Sequence, residues 1–175
     1  MSVPAAPLEV RGVVEGFYGR PWTAEQRLDM VDYIAELGMN TYVYSPKDDP
    51  FTRRRWREPY GPEAADGLRA LTKRARDAGI SLWYGLSPGL SMHYAEPADV
   101  GAVRAKFDAV RALGFTDLAL FLDDIPWQLQ HPGDVAAFPD LVSAQLSLTR
   151  ALEADTASGR LAVCPTLYCG RGNEP

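Results

Sequence analysis

The chain has 175 residues, 46% hydrophobic and 23% charged. That is a globular composition, and it excludes collagen-like, coiled-coil and disordered classes. Eighteen Lys and Arg stand against 23 Asp and Glu, a formal net charge of -5, so a nucleic-acid backbone is not the expected partner. No run approaches the roughly 18 apolar residues of a membrane span. Residues Met1 to Pro7 lack the basic start and apolar stretch of a signal peptide. The expectation is a cytoplasmic protein with no membrane partner. Two cysteines, Cys164 and Cys169, make no disulfide framework, and their C-x4-C spacing is a weak metal pattern.

The first apolar run spans Val10 to Tyr18. A helix should follow, opened by a capping box of Thr23 and Gln26, with Leu28, Val31, Ile34 and Leu37 on its buried stripe and Gly38 at its end. The second run is Asn40 to Ser45. A polar loop covers roughly Pro46 to Pro62, and a second helix carries Leu68, Leu71, Ala75 and Ala78 before Gly79. The third run, Ile80 to Leu86, leads into Ser87-Pro88-Gly89. A third helix carries Val100, Val103, Phe107, Val110 and Leu113 before Gly114. The fourth run is Asp117 to Asp124. A single fourth helix is predicted from about Val135 to Ala154, and Gly159 precedes the fifth run, Leu161 to Thr166.

Four helices thus alternate with five strands, which predicts a parallel sheet with helices packed outside it. No G-x-G-x-x-G follows the first strand, so no dinucleotide site is indicated. Strand starts near 10, 40, 80, 117 and 161 give about 38 residues per unit, and eight such units need about 300 residues, a size usual for a (β/α)8 barrel. The reading is therefore an open five-stranded α/β sheet or about five-eighths of a barrel, truncated after the fifth strand. Residues 1–10 form an N-terminal extension and 11–175 the partial barrel. Unclosed edges on strands one and five predict self-association.

The chemistry-bearing residues fall at the C-terminal ends of the runs, where such folds place their sites. Asp123-Asp124 follows the uniformly apolar Leu118 to Leu122. Charge beside a buried strand is costly, and two adjacent carboxylates are a means of keeping one protonated as a general acid. An N-cap or a solvated strand end explains the dipeptide equally well. Successive strand residues point to opposite sides, so both reach one pocket only if the strand bends, as Ile125-Pro126 suggests. Lys47 is suited to donating to substrate hydroxyls or, as the simpler alternative, to pairing with Asp48 or Asp49. That second acidic pair has turn composition and is read as ordering Arg53-Arg54-Arg55, itself read as a solvated face. Phe17, Tyr18 and Trp22 either stack on sugar rings or plug the barrel end, and Trp56, Tyr60, Trp83, Tyr84 and Trp127 allow the same two readings. His93 and His131 read as surface groups, and Cys164 as a buried small hydrophobe. Tyr168 could direct a hydroxyl into the site.

Six strings occur in order: Val13 to Trp22, Tyr44 to Asp49, Trp56-Arg57-Glu58, Ser87-Pro88-Gly89, Phe121 to Ile125, and Cys164 to Gly170. Together they resemble the glycoside hydrolase family 84 catalytic domain, the protein O-GlcNAcase and bacterial hyaluronidase-like β-N-acetylglucosaminidase family, from about Arg11 to Gly170. The resemblance implies a (β/α)8 barrel and retaining hydrolysis of terminal β-linked N-acetylglucosamine by substrate-assisted catalysis. It implies that Asp123 orients the substrate acetamido group and that Asp124 is general acid, then general base. It places Tyr168 near the acetamido group, and Lys47 and the Gly16 backbone on sugar hydroxyls. It implies no metal or other cofactor, and a β-N-acetylglucosaminide on a glycoprotein or glycan as partner. The family's remaining sugar-binding asparagine, aspartate and tryptophan lie on strands six to eight, which have no counterpart here. The alternative reading is an inactive remnant or a weak sugar-binding module of the same fold.

Overall fold

The computed structural model describes residues 8–153 and 159–168. Met1 to Pro7 of the expected extension, Ala154 of the expected fourth helix, and Cys169 and Gly170 of the last string lie outside the described residues. Five strands, β1 (Gly12–Glu15), β2 (Thr41–Tyr44), β3 (Ser81–Leu86), β4 (Asp117–Phe121) and β5 (Leu161–Cys164), form one sheet in the order β1-β2-β3-β4-β5. Every pairing is parallel, with Thr41 opposite both Gly12 and Ser81, Tyr84 opposite Leu118, and Phe121 opposite Cys164. All five C-terminal ends therefore lie along one edge. β1 pairs only with β2 and β5 only with β4, so among the described residues each has one edge without a strand partner.

Five helices are described: α1 (Ala24–Glu36), α2 (Pro62–Asp77), α3 (Pro97–Arg111), α4 (Pro132–Ala137) and α5 (Leu141–Glu153). The expected capping box opens α1, where Thr23 Oγ1 accepts from the Gln26 amide and Gln26 Oε1 accepts from the Thr23 amide. Gly38, Gly79 and Gly114 have positive φ in the turns that end α1, α2 and α3, and Gly159, just before β5, has positive φ as well. The predicted single fourth helix is instead two. Phe138 precedes Pro139, which bars it from helical geometry, and it adopts φ -128° and ψ 141°. Asp140 then restarts the chain as α5, its Oδ1 accepting from the Ser143 amide.

Period-two alternation puts Tyr42, Tyr44, Leu82, Tyr84, Leu86, Leu118, Leu120 and Leu122 on the helix-facing side of the sheet. They form one buried cluster with Ile34 of α1, Leu68 and Leu71 of α2, Phe107 of α3 and Leu148 of α5. On the opposite face, Val14 of β1 is exposed.

The N-terminal edge carries a polar lock. Asp117 Oδ1 accepts from the Arg160 amide and side chain, and Oδ2 accepts from Ser81 and Thr116 hydroxyls, joining β3, β4 and the start of β5. Burial alone would push the Asp117 carboxyl up, but the hydrogen bonds from Arg160 and Ser81 outweigh it and hold the group below the usual carboxylate range. An unfolded Asp takes up its proton near pH 4. The lock therefore contributes stability above about pH 4 and loses it as pH falls through the lowered native value. Asp117→Asn is expected to flatten the acid-side decline in unfolding free energy measured by urea titration. An unchanged decline would show that Asp117 is not its source.

Candidate active site

β4 ends at Phe121, although the Leu122 amide still donates to the Cys164 carbonyl at 2.8 Å. The chain turns at Asp124, whose φ is 54°. The bend expected at the Asp123-Asp124 dipeptide thus falls on its second aspartate, and it brings both carboxylates to one side. Lys47 Nζ is 2.8 Å from Asp123 Oδ2 and 3.7 Å from Asp124 Oδ2. Lys47 is only 6% exposed, and its backbone amide donates to the Phe17 carbonyl across the gap between the β1 and β2 loops. It does not pair with Asp48 or Asp49, as the simpler alternative held. Its partner is 76 residues away.

Asp123 is thereby half satisfied. Its Oδ2 has the lysine, while its Oδ1 is buried with no hydrogen-bond donor. A buried acceptor without a donor is costly, and it is chemically an opening for an N–H or O–H. Asp124 is more exposed than its neighbour.

Two further residues join the pair, and neither was singled out for this role from sequence. Tyr18 donates its hydroxyl to Asp124 Oδ2 at 2.8 Å. Arg53 donates to that same hydroxyl at 2.5 Å and to the Asp124 carbonyl at 3.0 Å. The expectation that Arg53-Arg54-Arg55 is a solvated face fails at its first member, which is 8% exposed. Arg54 and Arg55 do face solvent. Phe17 and Tyr18 are both exposed in this chain.

The β2–α2 loop that delivers Lys47 and Arg53 is braced from beneath. Asp49 Oδ2 accepts from Tyr44 and Tyr60 hydroxyls, and Oδ1 from the Phe51 amide. Asp48, not Asp49, reaches the arginine run, at 3.8 Å from Arg54, and it also accepts from the Gly19 amide. Buried Lys106 of α3 donates to the Glu58 carbonyl and lies 4.7 Å from the Tyr60 ring centre. Its burial pushes the ammonium down to about 8, against the opposing pull of Asp49 and Glu58. Behind the β1 loop, Glu15 is 0% exposed. It pairs with Arg27 of α1 at 2.9 Å and accepts from the Tyr42 hydroxyl at 2.5 Å and the Trp22 amide at 3.2 Å. Burial, with the neighbouring Glu15 charge, pushes the Tyr42 hydroxyl well up.

Gly85 of β3 sets the spacing on the face that carries Lys47 and Asp123. A Cβ there would lie 2.5 Å from Ser45 Cβ and 2.6 Å from Phe121 Cε2. Two residues further along each of those chains stand Lys47 and Asp123.

Of the other sequence candidates, Gly16 lies one residue past β1, on the same edge. Tyr168 also lies on this edge, past β5, and is 61% exposed. The hydrogen bonds that link Lys47, Tyr18, Arg53 and the aspartates do not include it. Cys164 is half-buried rather than buried, because its strand is at the sheet edge. His93 and His131 are not independent surface groups. Their rings stack with centroids 3.6 Å apart, joining the β3–α3 loop to the segment after Asp124. Trp56, Trp83 and Tyr84 are buried, and Trp127 is exposed. A cavity of about 530 Å³ between α1, α2 and the β2–α2 loop is lined by Trp22, Tyr44, Phe51 and Tyr60, but by neither Asp123 nor Asp124. Among the described residues, no group of three or more His, Cys, Asp or Glu side chains is placed to hold a metal ion, and no helix is long and apolar enough to cross a membrane.

A parallel sheet of barrel type with paired acids on its C-terminal edge has the architecture of a glycoside hydrolase, and comparison with known proteins shows that class. A mutant of the Thermobaculum terrenum O-GlcNAc hydrolase superposes with a TM-score of 0.88 at 34% identity, over 95% of this chain and 37% of that one. The family model described as beta-N-acetylglucosaminidase matches residues 11–175, and the chain belongs to that family. The protein O-GlcNAcases of Rattus norvegicus and Mus musculus are each 39% identical to it over 164 residues. Those residues are 91% of this chain but only 17% of either relative.

Proposed function

We propose that residues 11–175 form the N-terminal part of a retaining β-N-acetylglucosaminidase barrel that hydrolyses terminal β-linked N-acetylglucosamine from a glycoprotein or glycan. Membership of the family and the O-GlcNAc substrates named for its relatives support the sugar. The observation that carries the mechanism is the orphaned Asp123 Oδ1, buried beside an Asp124 that is free to face solvent.

In this mechanism Asp123 Oδ1 accepts from the substrate acetamido N–H. That hydrogen bond raises the nucleophilicity of the acetamido oxygen, which attacks the anomeric carbon as the glycosidic bond breaks. Asp124 delivers its proton to the departing oxygen, and Asp123 takes up the N–H proton as the oxazoline forms. Asp124, now a carboxylate, removes a proton from the water that opens the oxazoline at the same carbon. Asp123 returns its proton to nitrogen, and two inversions give net retention. Lys47 supplies the counter-charge for Asp123 and, with the Gly16 backbone, holds sugar hydroxyls, while Tyr168 lines the acetamido side.

Proton NMR of aryl β-N-acetylglucosaminide hydrolysis tests this directly. The β-anomer should appear first and mutarotate later. Initial release of the α-anomer would overturn the reading. So would inactivity both of this chain and of a polypeptide joining it to the remaining barrel strands of a family member.

A further inference from the structure

Asp124 is the only non-glycine residue with positive φ among the described residues. An aspartate tolerates that conformation but does not prefer it, so something must hold it. Two side chains from separate loops do. The Arg53 guanidinium grips the Asp124 carbonyl with one nitrogen and the Tyr18 hydroxyl with the other. That hydroxyl accepts from Arg53 and donates onward to Asp124 Oδ2, while the guanidinium carbon sits 5.3 Å from the Tyr18 ring centre. Backbone and carboxyl of one residue are thus fixed by a single closed set of contacts. Lys47 also faces Oδ2, at 3.7 Å, so both neighbours occupy the same oxygen, and no side chain or amide among the described residues bonds to Oδ1.

We propose that Tyr18 and Arg53 are positioning residues for Asp124, holding its bent backbone and its Oδ2 so that Oδ1 is presented to the glycosidic oxygen. The inference rests on the reading of Asp124 as general acid. Its consequence is selective. Loss of the brace slows proton delivery where protonation limits the rate, and leaves bond cleavage nearly untouched where the leaving group departs unaided.

The test compares wild type, Tyr18→Phe and Arg53→Lys on methyl and dinitrophenyl β-N-acetylglucosaminides. The phenylalanine keeps the ring and the fold, because the tyrosine is 57% exposed. Both variants should lose kcat on the methyl glycoside by about 10–100-fold, the scale of a misplaced catalytic group, with less than about threefold loss on the dinitrophenyl glycoside and little change in KM. An equal loss on both substrates, the pattern of a partly unfolded enzyme, would overturn the proposal, as would no loss on either. If wild type cleaves neither glycoside, both as this chain and joined to the remaining barrel strands of a family member, the activity reading fails, and hydrogen exchange in the same three proteins decides the brace separately. Arg53→Lys should speed amide exchange at Asp124 and Ile125 at least about tenfold without altering β4. Unchanged exchange there would overturn the proposal.

Discussion

Asp124→Ala should divide substrates by their leaving groups. In a polypeptide joining this chain to the remaining barrel strands, kcat/KM for alkyl and other basic leaving groups should fall on the order of 10²–10⁴-fold, the usual contribution of general acid catalysis. Aryl glycosides with acidic leaving groups need little protonation and should lose far less in the first step. Added azide should restore part of their turnover, because a small anion attacks without a general base. Asp123→Ala should differ in kind. Its Oδ1 is an acceptor with no hydrogen-bond partner among the described residues, and its proposed role is on the acetamido group, so every substrate should slow alike whatever the leaving group. The measurement is kcat/KM for both variants across N-acetylglucosaminides of graded leaving-group acidity. If the steeper dependence belonged to Asp123→Ala and not to Asp124→Ala, the two roles would be exchanged.

Arg27→Met should be among the most destabilising single changes in the chain. Glu15 has no access to solvent, and its carboxylate is balanced chiefly by Arg27, which approaches through two nitrogens at 2.9 Å. Removing the cation leaves a buried charge with only the Tyr42 hydroxyl and the Trp22 amide as donors. Breaking such a pair costs about 3–5 kcal/mol, a large share of the roughly 5–15 kcal/mol that holds a domain together. Neutralising both partners, in Glu15→Gln with Arg27→Met, should recover much of the loss, since replacement of an entire buried pair is often near neutral. Urea unfolding of the two variants reads this directly. A cost below about 1 kcal/mol for the single change would mean that water reaches Glu15 after all.

The β-α rhythm was legible because it is local. A glycine follows each of α1, α2 and α3 and precedes the next strand, and each strand is a short, mostly apolar run, so neighbours in sequence carry the information. The acidic pair was legible for a similar reason, as two charges standing at the end of Leu118 to Leu122. Arg53 was not. A run of three arginines beside acids has the composition of a solvated turn, and its burial depends on Tyr18 and on Asp124, 35 and 71 residues away. Lys47 was singled out, but its partner was not, because Asp48 and Asp49 lie beside it in sequence while Asp123 arrives only when β2 and β4 share a sheet. The break between α4 and α5 was written in Phe138-Pro139, yet the apolar spacing that resumes at Leu141, Ala144 and Leu148 masked it. Glu15 stood in a recognisable string, but a lone carboxylate at a strand end gives no sign that an arginine twelve residues later will cover it.

An absent side chain lets the strands that lead to Lys47 and Asp123 pack closely. Those two residues follow strands that are not neighbours, and Gly85, on the strand between, leaves room for Ser45 and Phe121 to close in. Every amino-acid replacement at codon 85 adds at least one carbon to that gap, so any missense change there makes Ser45 or Phe121 give way. Selection can act by small steps at an exposed position such as Val14. It cannot drift through position 85 by small steps, since the smallest step available already forces Ser45 or Phe121 to move.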